Sequence, residues 1–212
     1  MTKRQGRVVP SQPPMTIRHG EGEAVGVSRI SKSADGKSVI LGINLASAPV
    51  PGRKYVANQV GVVSDEDEIC LLFGQSNRDR NAGLRSLLEI HMSREGVGNF
   101  VAVLEQVDAG LKSWSSANKL KPRSLVTIDK DAPQTVALSA NFVAVAYAGS
   151  ETTLDFYMAS SFALDQIVKQ SRDFLNLEPM VRVNLPSRWF LSLVERVLSI
   201  GGQSVEREKE AT

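Results

Sequence analysis

An internal repeat is the feature that most constrains the fold of this chain. Residues 57–73 read ANQVGVVSDEDEICLLF, and residues 140–156, 83 positions later, read ANFVAVAYAGSETTLDF. Each segment is an apolar run, a short polar turn and a second apolar run, which is the pattern of two antiparallel strands. Seven of the seventeen aligned positions are identical: Ala57/Ala140, Asn58/Asn141, Val60/Val143, Val62/Val145, Glu68/Glu151, Leu71/Leu154 and Phe73/Phe156. The chain is therefore predicted to contain two related halves.

A third strand and a helix are predicted to follow each repeated pair. In the first half the strand covers residues 84–92, and Ser93 is a suitable N-cap for the helix after it. In the second half the strand covers residues 180–185, and Pro186 lies near the first helical turn. Apolar residues then recur at helical spacing in both halves, at Phe100, Val103, Leu104 and Val107 and at Phe190, Leu193, Val194 and Val197. We expect Phe100 and Phe190 to be buried on the inner faces of these helices.

The predicted fold class is α+β, with two homologous β-β-β-α repeats and an extra N-terminal β-hairpin. The Asp35-Gly36 pair predicts that hairpin, with strands at residues 24–31 and 38–46. A three-stranded sheet with one helix leaves an exposed edge, so two such units in one chain are expected to cover each other as an intramolecular pseudo-dimer. An insertion within residues 160–175 of the second half predicts a short additional helix.

Five segments are predicted along the chain. Residues 1–20 contain three Pro and form a flexible basic arm, and residues 21–107 hold the hairpin and repeat 1. Residues 108–137 form a basic linker with a short strand, residues 138–200 form repeat 2, and residues 201–212 form a flexible tail. Charge differs between them: residues 1–54 have nine Lys/Arg and three Asp/Glu, whereas residues 55–107 have four and eight.

The two repeats resemble a family of short bacterial and archaeal proteins that contain a domain of unknown function. The resemblance is carried by SANFVAVAYAGSETTLDF and RVNLPSRWFLSLVERVL in the second half, and by YVANQVGVV and EIHMSREGV in the first. These stretches cover roughly half of the chain, and most family members hold a single unit. The resemblance implies a fold and no activity. The paired sheet-plus-helix units are also similar in topology to Whirly-like and Pur-alpha-like single-strand-binding proteins.

No residue pattern in the sequence predicts catalysis, a cofactor or a metal site. The chain has a single cysteine, Cys70, which lies in an apolar run and is interpreted as a core residue. His91 alternates with Ile90 and Met92 and is expected on the solvated face of its strand, while Asp155 is expected on a strand surface. No secretory signal or long apolar run is recognisable, so we expect a cytoplasmic protein that does not enter membranes.

A non-enzymatic protein-interaction or assembly role, including self-association, is the predicted function. The alternative is a single-stranded nucleic-acid-binding protein that uses the basic linker and the N-terminal region. In that alternative an aromatic side chain stacks on a base while cations contact phosphates. The candidate residues are Trp114 for stacking, with Lys112, Lys119, Lys121 and Arg123 in the linker and Arg78 and Arg80 in a polar loop.

Overall fold

A computed structural model describes residues 23–32, 39–43, 45, 48–64, 68–76, 85–125, 135–170 and 174–210. These residues form ten strands and three helices, which confirms the α+β class. The strands are β1 (Glu23–Lys32), β2 (Val39–Ile43), β3 (Lys54–Val56), β4 (Gln59–Ser64), β5 (Glu68–Gln75), β6 (Arg85–Ser93), β7 (Val136–Ser139), β8 (Phe142–Ala148), β9 (Glu151–Met158) and β10 (Phe174–Pro186). The helices are α1 (Arg94–Ala117), α2 (Ser161–Gln170) and α3 (Ser187–Glu210).

The strands form two sheets. The smaller has the order β4-β5-β6-β7, and the larger has the order β2-β1-β10-β9-β8, with β3 also paired to β10. The predicted hairpin strands β1 and β2 pair antiparallel, and β1 joins the larger sheet through β10. The N-terminal arm and the loop with Arg78 and Arg80 lie outside the described residues.

One apolar core joins the two halves. Leu71 and Phe73 of β5, Ile90 of β6, and Leu154 and Phe156 of β9 belong to a single buried cluster. The prediction for the two helices is confirmed, because Phe100 and Phe190 are both 0% exposed in that cluster. Phe73 and Phe156 contact each other edge to face, with ring centroids 5.9 Å apart. A second cluster lies under α2 and contains Phe142, Tyr157, Ile167, Leu175 and Leu177.

Each sheet receives a short strand from the segment that precedes the other half. Strand β3, which leads into β4 of the smaller sheet, pairs parallel to β10 of the larger sheet. Strand β7, which leads into β8 of the larger sheet, pairs parallel to β6 of the smaller sheet. Helix α1 packs against β8 and helix α3 packs against β4, so the helices also cross over. The chain therefore exchanges strands reciprocally between its two sheets.

The strand pairings of the two sheets coincide when residue numbers are shifted. Adding 83 to the β4–β5 pair Val60↔Phe73 gives the β8–β9 pair Val143↔Phe156. For the third strand the shift is 93, so that Leu71↔Ile90 corresponds to Leu154↔Val183. The register shifts also correspond: one residue is skipped in β6 between Ser86 and Leu88, and one is skipped in β10 between Pro179 and Val181.

Several elements extend beyond their predicted ends. Helix α1 continues to Ala117, so the first ten residues of the predicted linker, 108–117, are helical. Helix α3 continues through residues 201–202 to Glu210, within the predicted tail, where Glu, Lys and Arg are strong helix formers. Strand β10 begins at Phe174 rather than residue 180, because its first four residues pair with β1. Among the described helices, none is long and apolar enough to cross a membrane.

Candidate functional site

The two points at which the chain crosses between sheets are built alike. The backbone N–H of Ala57 donates to the carbonyl of Asn184 at 2.9 Å, and that of Ala140 donates to the carbonyl of His91 at 3.0 Å. The donors Ala57 and Ala140 are 83 residues apart, and the acceptors His91 and Asn184 are 93 apart, which are the same shifts that relate the strands. Each crossing point therefore fixes the end of the other sheet's third strand.

An asparagine side chain fastens each crossing point to the end of the second strand. The Oδ1 of Asn58 accepts from the backbone N–H of Ser76 at 2.8 Å. The Oδ1 of Asn141 accepts from the backbone N–H of Ala159 at 2.8 Å, and its Nδ2 donates to the carbonyl of Ala159, also at 2.8 Å. The sequence predicts that these asparagines begin equivalent strands, and the structure shows which backbone groups their side chains bind.

A groove of about 920 Å³ opens beside the second crossing point, and we call it the acidic groove. The first half contributes the end of β6 and the first turns of α1, and the second half contributes residues 139–141 and α2. No Lys or Arg is among the described residues that line it. Those residues are Glu68, His91, Ser93, Glu95, Asn99, Ser139, Ala140, Asn141, Met158, Ser161 and Leu164.

Hydrogen bonds hold the polar wall of the acidic groove in place. Ser93 caps α1 by accepting from the backbone N–H of Gly96 at 3.3 Å, and its Oγ donates to Glu95 Oε2 at 3.0 Å. Asn99 donates to the carbonyl of Asn141 at 3.1 Å, which ties α1 to the crossing segment. His91 Nδ1 lies 3.2 Å from Glu68 Oε1. Two exposed carboxylates, those of Glu68 and Glu95, therefore stand at a fixed position in the groove.

The corresponding place beside the first crossing point is basic, and we call it the basic groove. It consists of two adjoining cavities of about 550 and 270 Å³, both lined by Asn58, Pro186 and Arg188. The first also holds Glu151, which corresponds to Glu68, and the second also holds Arg123. The guanidinium groups of Arg188 and Arg123 belong to exposed residues. The same architecture thus presents two carboxylates at one crossing point, and two guanidinium groups with one carboxylate at the other.

The structure places Trp114 on α1 and against the protein rather than in an open linker. Its ring lies 4.7 Å from the Tyr147 ring, measured between centroids, and it packs at the edge of the main core. Lys112 lies on the same helix and is exposed. The two rings are tilted by 49° to each other, so Trp114 of α1 packs against Tyr147 of β8. The Trp114 side chain is partly buried.

The cations after α1 lie on a segment that is fixed to the protein. The helix ends in a Schellman motif: Leu120 N–H donates to the carbonyl of Ser115 at 2.9 Å, and Lys119 N–H donates to that of Ser116 at 3.1 Å. Lys119 has a φ of 51°, the left-handed conformation that this motif requires. Farther on, Arg123 N–H donates to Ser192 Oγ at 2.7 Å, and Ser192 Oγ donates to the carbonyl of Arg123. Lys119, Lys121 and Arg123 are all exposed.

The buried carboxylate of Asp155 has a structural partner. We expected Asp155 on a strand surface, and this is wrong, because the residue is 8% exposed. Arg182 binds it through two hydrogen bonds, from Nε at 2.7 Å and from Nη2 at 2.6 Å. Hydrogen bonding to this carboxylate raises the pKa of Arg182. Burial raises the pKa of neighbouring Tyr157 to about 12, and the negative charge of Asp155 adds to that shift.

The sequence did not indicate Arg188, nor the set of side chains around His91. His91 lies on the face of β6 opposite Ile90 and Met92, as expected, but it is only partly exposed and contacts Glu68, Glu89 and Cys70. Cys70 is buried as expected, yet it lies with Leu72 in a small cluster apart from the main core. A signal was present in the sequence, since Cys70, Glu89 and His91 fall on one face of adjacent strands once the register is known.

Comparisons with known proteins return no match. No protein-family model matches this chain. No curated protein and no solved structure matches it either. The resemblance to the family with a domain of unknown function therefore stays a prediction.

Proposed function

We propose that this protein is a non-enzymatic interaction module built as an intramolecular pseudo-dimer of two homologous repeats. The coincident strand registers, the reciprocal exchange of β3 and β7, and the contact between the corresponding residues Phe73 and Phe156 support the repeat and the pseudo-dimer. Such an arrangement makes each crossing point a junction of both halves. Residues that are far apart in the chain then line one groove, which suits binding rather than a purely structural role.

The acidic groove is the proposed binding surface, and its occupant is a short basic segment of a protein. The groove volume of about 920 Å³ carries this proposal, because it is large enough for several side chains and no described Lys or Arg lines it. Glu68 and Glu95 supply negative charge, while Met158 and Leu164 supply apolar surface. Strand β7, at the edge of the smaller sheet, ends at Ser139 in the groove and offers backbone groups for an added strand.

A second copy of this chain is one such partner. Residues 1–20 contain Lys3, Arg4, Arg7 and Arg18 and no Asp or Glu. Their charge complements that of the acidic groove, so binding of this arm by another molecule would link chains together. A self-associating assembly module is therefore the specific form of the proposal.

A labelled peptide with the sequence of residues 1–20 provides the test. We expect its fluorescence anisotropy to rise on titration with the protein, and the affinity to fall as salt screens the charges. Glu95→Gln removes one groove carboxylate and should weaken binding several-fold. Glu151→Gln is the matched control, since it removes a carboxylate from the other groove and should leave binding unchanged.

Absence of binding at tens of micromolar protein would count against the acidic groove, as would equal weakening by both variants. Light scattering over a range of concentrations tests self-association separately. If the molecular mass stays at that of one chain while the peptide still binds, the groove is supported as a binding site, but a second copy of the chain is excluded as its partner.

Single-stranded nucleic acid at the basic groove is the second candidate, favoured by the exposed Arg123 and Arg188 in adjoining cavities. Because Trp114 packs on Tyr147, phosphate contacts would carry this binding. A labelled single-stranded oligonucleotide at low salt is the probe. The double change of Arg123 and Arg188 to Gln should reduce the salt-dependence slope by about 0.7 per lost contact. An unchanged slope, or no binding by the original protein, would exclude this candidate.

A further inference from the structure

Three side chains with metal-ligating atoms meet on the smaller sheet. Cys70 of β5 lies directly opposite His91 of β6, and Glu89 lies two residues before His91 on the same face of β6. Cys70 Sγ is 3.8 Å from His91 Nε2, and Glu89 Oε2 is 3.5 Å from that nitrogen. The three ligand atoms all lie within 4.8 Å of one another.

These separations suit a tetrahedral metal ion. Sulfur, nitrogen and oxygen ligands at their usual distances from Zn²⁺ lie about 3.3–3.7 Å apart. The two measured separations, 3.8 and 3.5 Å, are within a few tenths of an ångström of that range. Cysteine and histidine together are also the ligand types that zinc prefers. A small inward movement of the three side chains is all that binding would require.

The surroundings favour a ligand at this place. Glu68 Oε1 lies 3.2 Å from His91 Nδ1, and a proton on that nitrogen leaves the Nε2 lone pair directed towards Cys70 and Glu89. A carboxylate behind a histidine is the usual support for a metal ligand. Within the described residues, the buried Glu89 Oε1 has no hydrogen-bond partner, and the Glu89 side chain is only 12% exposed. Coordination of the carboxylate would compensate for its burial.

In the second half, the positions that correspond to Cys70 and His91 hold two side chains that bind each other through a hydrogen bond. Adding 83 to Cys70 gives Thr153, and adding 93 to His91 gives Asn184. Thr153 Oγ1 donates to Asn184 Oδ1 at 2.9 Å. The counterpart of Glu89 is Arg182, which binds Asp155 instead. One fold position therefore holds a neutral hydrogen-bonded pair in the second half and three potential ligands in the first.

We propose that Cys70, Glu89 and His91 bind a divalent metal ion of the zinc type, with Glu68 orienting His91. Binding transfers the thiol proton of Cys70 to solvent and forms bonds from the metal to Cys70 Sγ, to His91 Nε2 and to the carboxylate of Glu89, whose two oxygens can both coordinate. A fourth position remains for water or for a group from the acidic groove, since His91 and Glu68 line that groove. This inference does not depend on the proposed peptide binding.

Titration of the full-length protein with Co²⁺, after treatment with a chelator, is the test. We expect one ion per chain, a thiolate-to-cobalt charge-transfer band, the intense visible bands of tetrahedral Co²⁺, and their loss on addition of Zn²⁺. The melting temperature should rise with Zn²⁺. Glu68→Gln should lower the affinity by about 10–100-fold, as is usual when the partner of a ligating histidine is removed.

The double variant Cys70→Thr/His91→Asn copies the hydrogen-bonded pair of the second half and should fold without binding metal. Cys70→Ser provides a second variant in case the double variant unfolds, and it should lose the charge-transfer band. Glu105→Gln is the matched control, because it removes an exposed carboxylate of α1 that lines neither groove, and this variant should bind metal as the unmodified protein does. The proposal would be overturned if the folded, unmodified protein showed no cobalt bands, or if the charge-transfer band persisted in a variant that lacks Cys70. In that outcome a proton on His91 Nε2, shared with Glu89, accounts for the cluster.

Discussion

Asn58 and Asn141 occupy corresponding positions but are held to different extents. Asn141 makes two hydrogen bonds with the backbone of Ala159, which is 1% exposed, whereas the bonds of Asn58 to Ser76 lie at an exposed position. Removing a hydrogen-bond partner lowers the free energy of unfolding most where the group left without a partner is buried. The two asparagines therefore differ in what they contribute to stability.

We expect Asn141→Ala to lower the free energy of unfolding by about 1–3 kcal/mol, because it leaves the buried N–H of Ala159 unpaired. Asn58→Ala is the matched variant and should cost about 0.5–1.5 kcal/mol, since water can replace its side chain. Urea unfolding measures both. Equal costs, or a larger cost at Asn58, would contradict the difference in burial.

The raised pKa of Tyr157 predicts how the free energy of unfolding depends on pH in alkaline solution. Its pKa is raised from 10.0 to about 12 in the folded protein, first by burial and then by the charge of Asp155. Between those two values the folded state holds a proton that the unfolded state has lost. The contribution is therefore complete below pH 10 and is lost as the pH rises towards 12, by about 1.4 kcal/mol per pH unit. Tyr157→Phe should reduce this slope in urea unfolding; an unchanged slope would assign the alkaline loss to other groups.

At the scale of elements, the first turn of α1 lies very close to the second crossing point. A Cβ on Gly96 would come within 3.1 Å of Asn141 Cα and 3.2 Å of the carbonyl oxygen of Ala140. Gly98, two residues along the helix, has no such neighbour within 4 Å. The absence of a side chain at residue 96 thus permits the contact between α1 and the exchanged segment.

Gly98→Ala should stabilise the protein by about 0.5–1 kcal/mol, because alanine loses less conformational entropy than glycine in a helix. Gly96→Ala should lose this gain and destabilise by about 1 kcal/mol, since backbone atoms of residues 140–141 must move. Thermal or urea unfolding of the two variants gives the comparison. Equal stabilisation by both would mean that the helix does not approach the crossing segment so closely.

Variants of Trp114 distinguish a role in holding α1 against β8 from a role in binding nucleic acid. If it fastens α1 to β8 through Tyr147, Trp114→Ala lowers stability, by less than the about 3–5 kcal/mol expected for a fully buried tryptophan. Trp114→Phe keeps an aromatic ring and should lose less. Neither variant should change oligonucleotide anisotropy. Weaker oligonucleotide binding by a stably folded Trp114→Ala variant would support stacking instead.

Most strands and helices of the two halves could be predicted from the sequence because their signals are local. Alternation and helical spacing indicate the strands, both inner helix faces, and the extra helix α2. The exchange of β3 and β7 could not be predicted this way, because a strand of three or four residues pairs with a partner chosen by tertiary contacts. The same limit applies to Cys70 and His91: their residue types were visible, but their proximity depends on the register of β5 and β6.

The two grooves were still harder to predict from the sequence, because residues from both halves of the chain line each of them. Arg188 and Asn58 line the same cavity because β3 pairs with the strand before α3. Likewise, Glu95 and Asn141 line the same groove because β7 pairs with the strand before α1. The sequence predicts a basic linker, yet the cations in the described part of that linker are divided between a helix and a segment fixed to Ser192. Surfaces of this kind follow from topology, which sequence spacing does not encode directly.

For the whole molecule, we expect the exchanged strands to make both halves unfold as one cooperative unit. Native-state hydrogen exchange at the crossing points tests it most directly, since the amide of Ala57 donates to Asn184 and that of Ala140 donates to His91. We expect both amides to exchange only by global unfolding, with one free energy that falls with urea as for the core strands. Exchange of either amide through a separate opening of lower free energy, while the core strands stay protected, would contradict the reciprocal exchange.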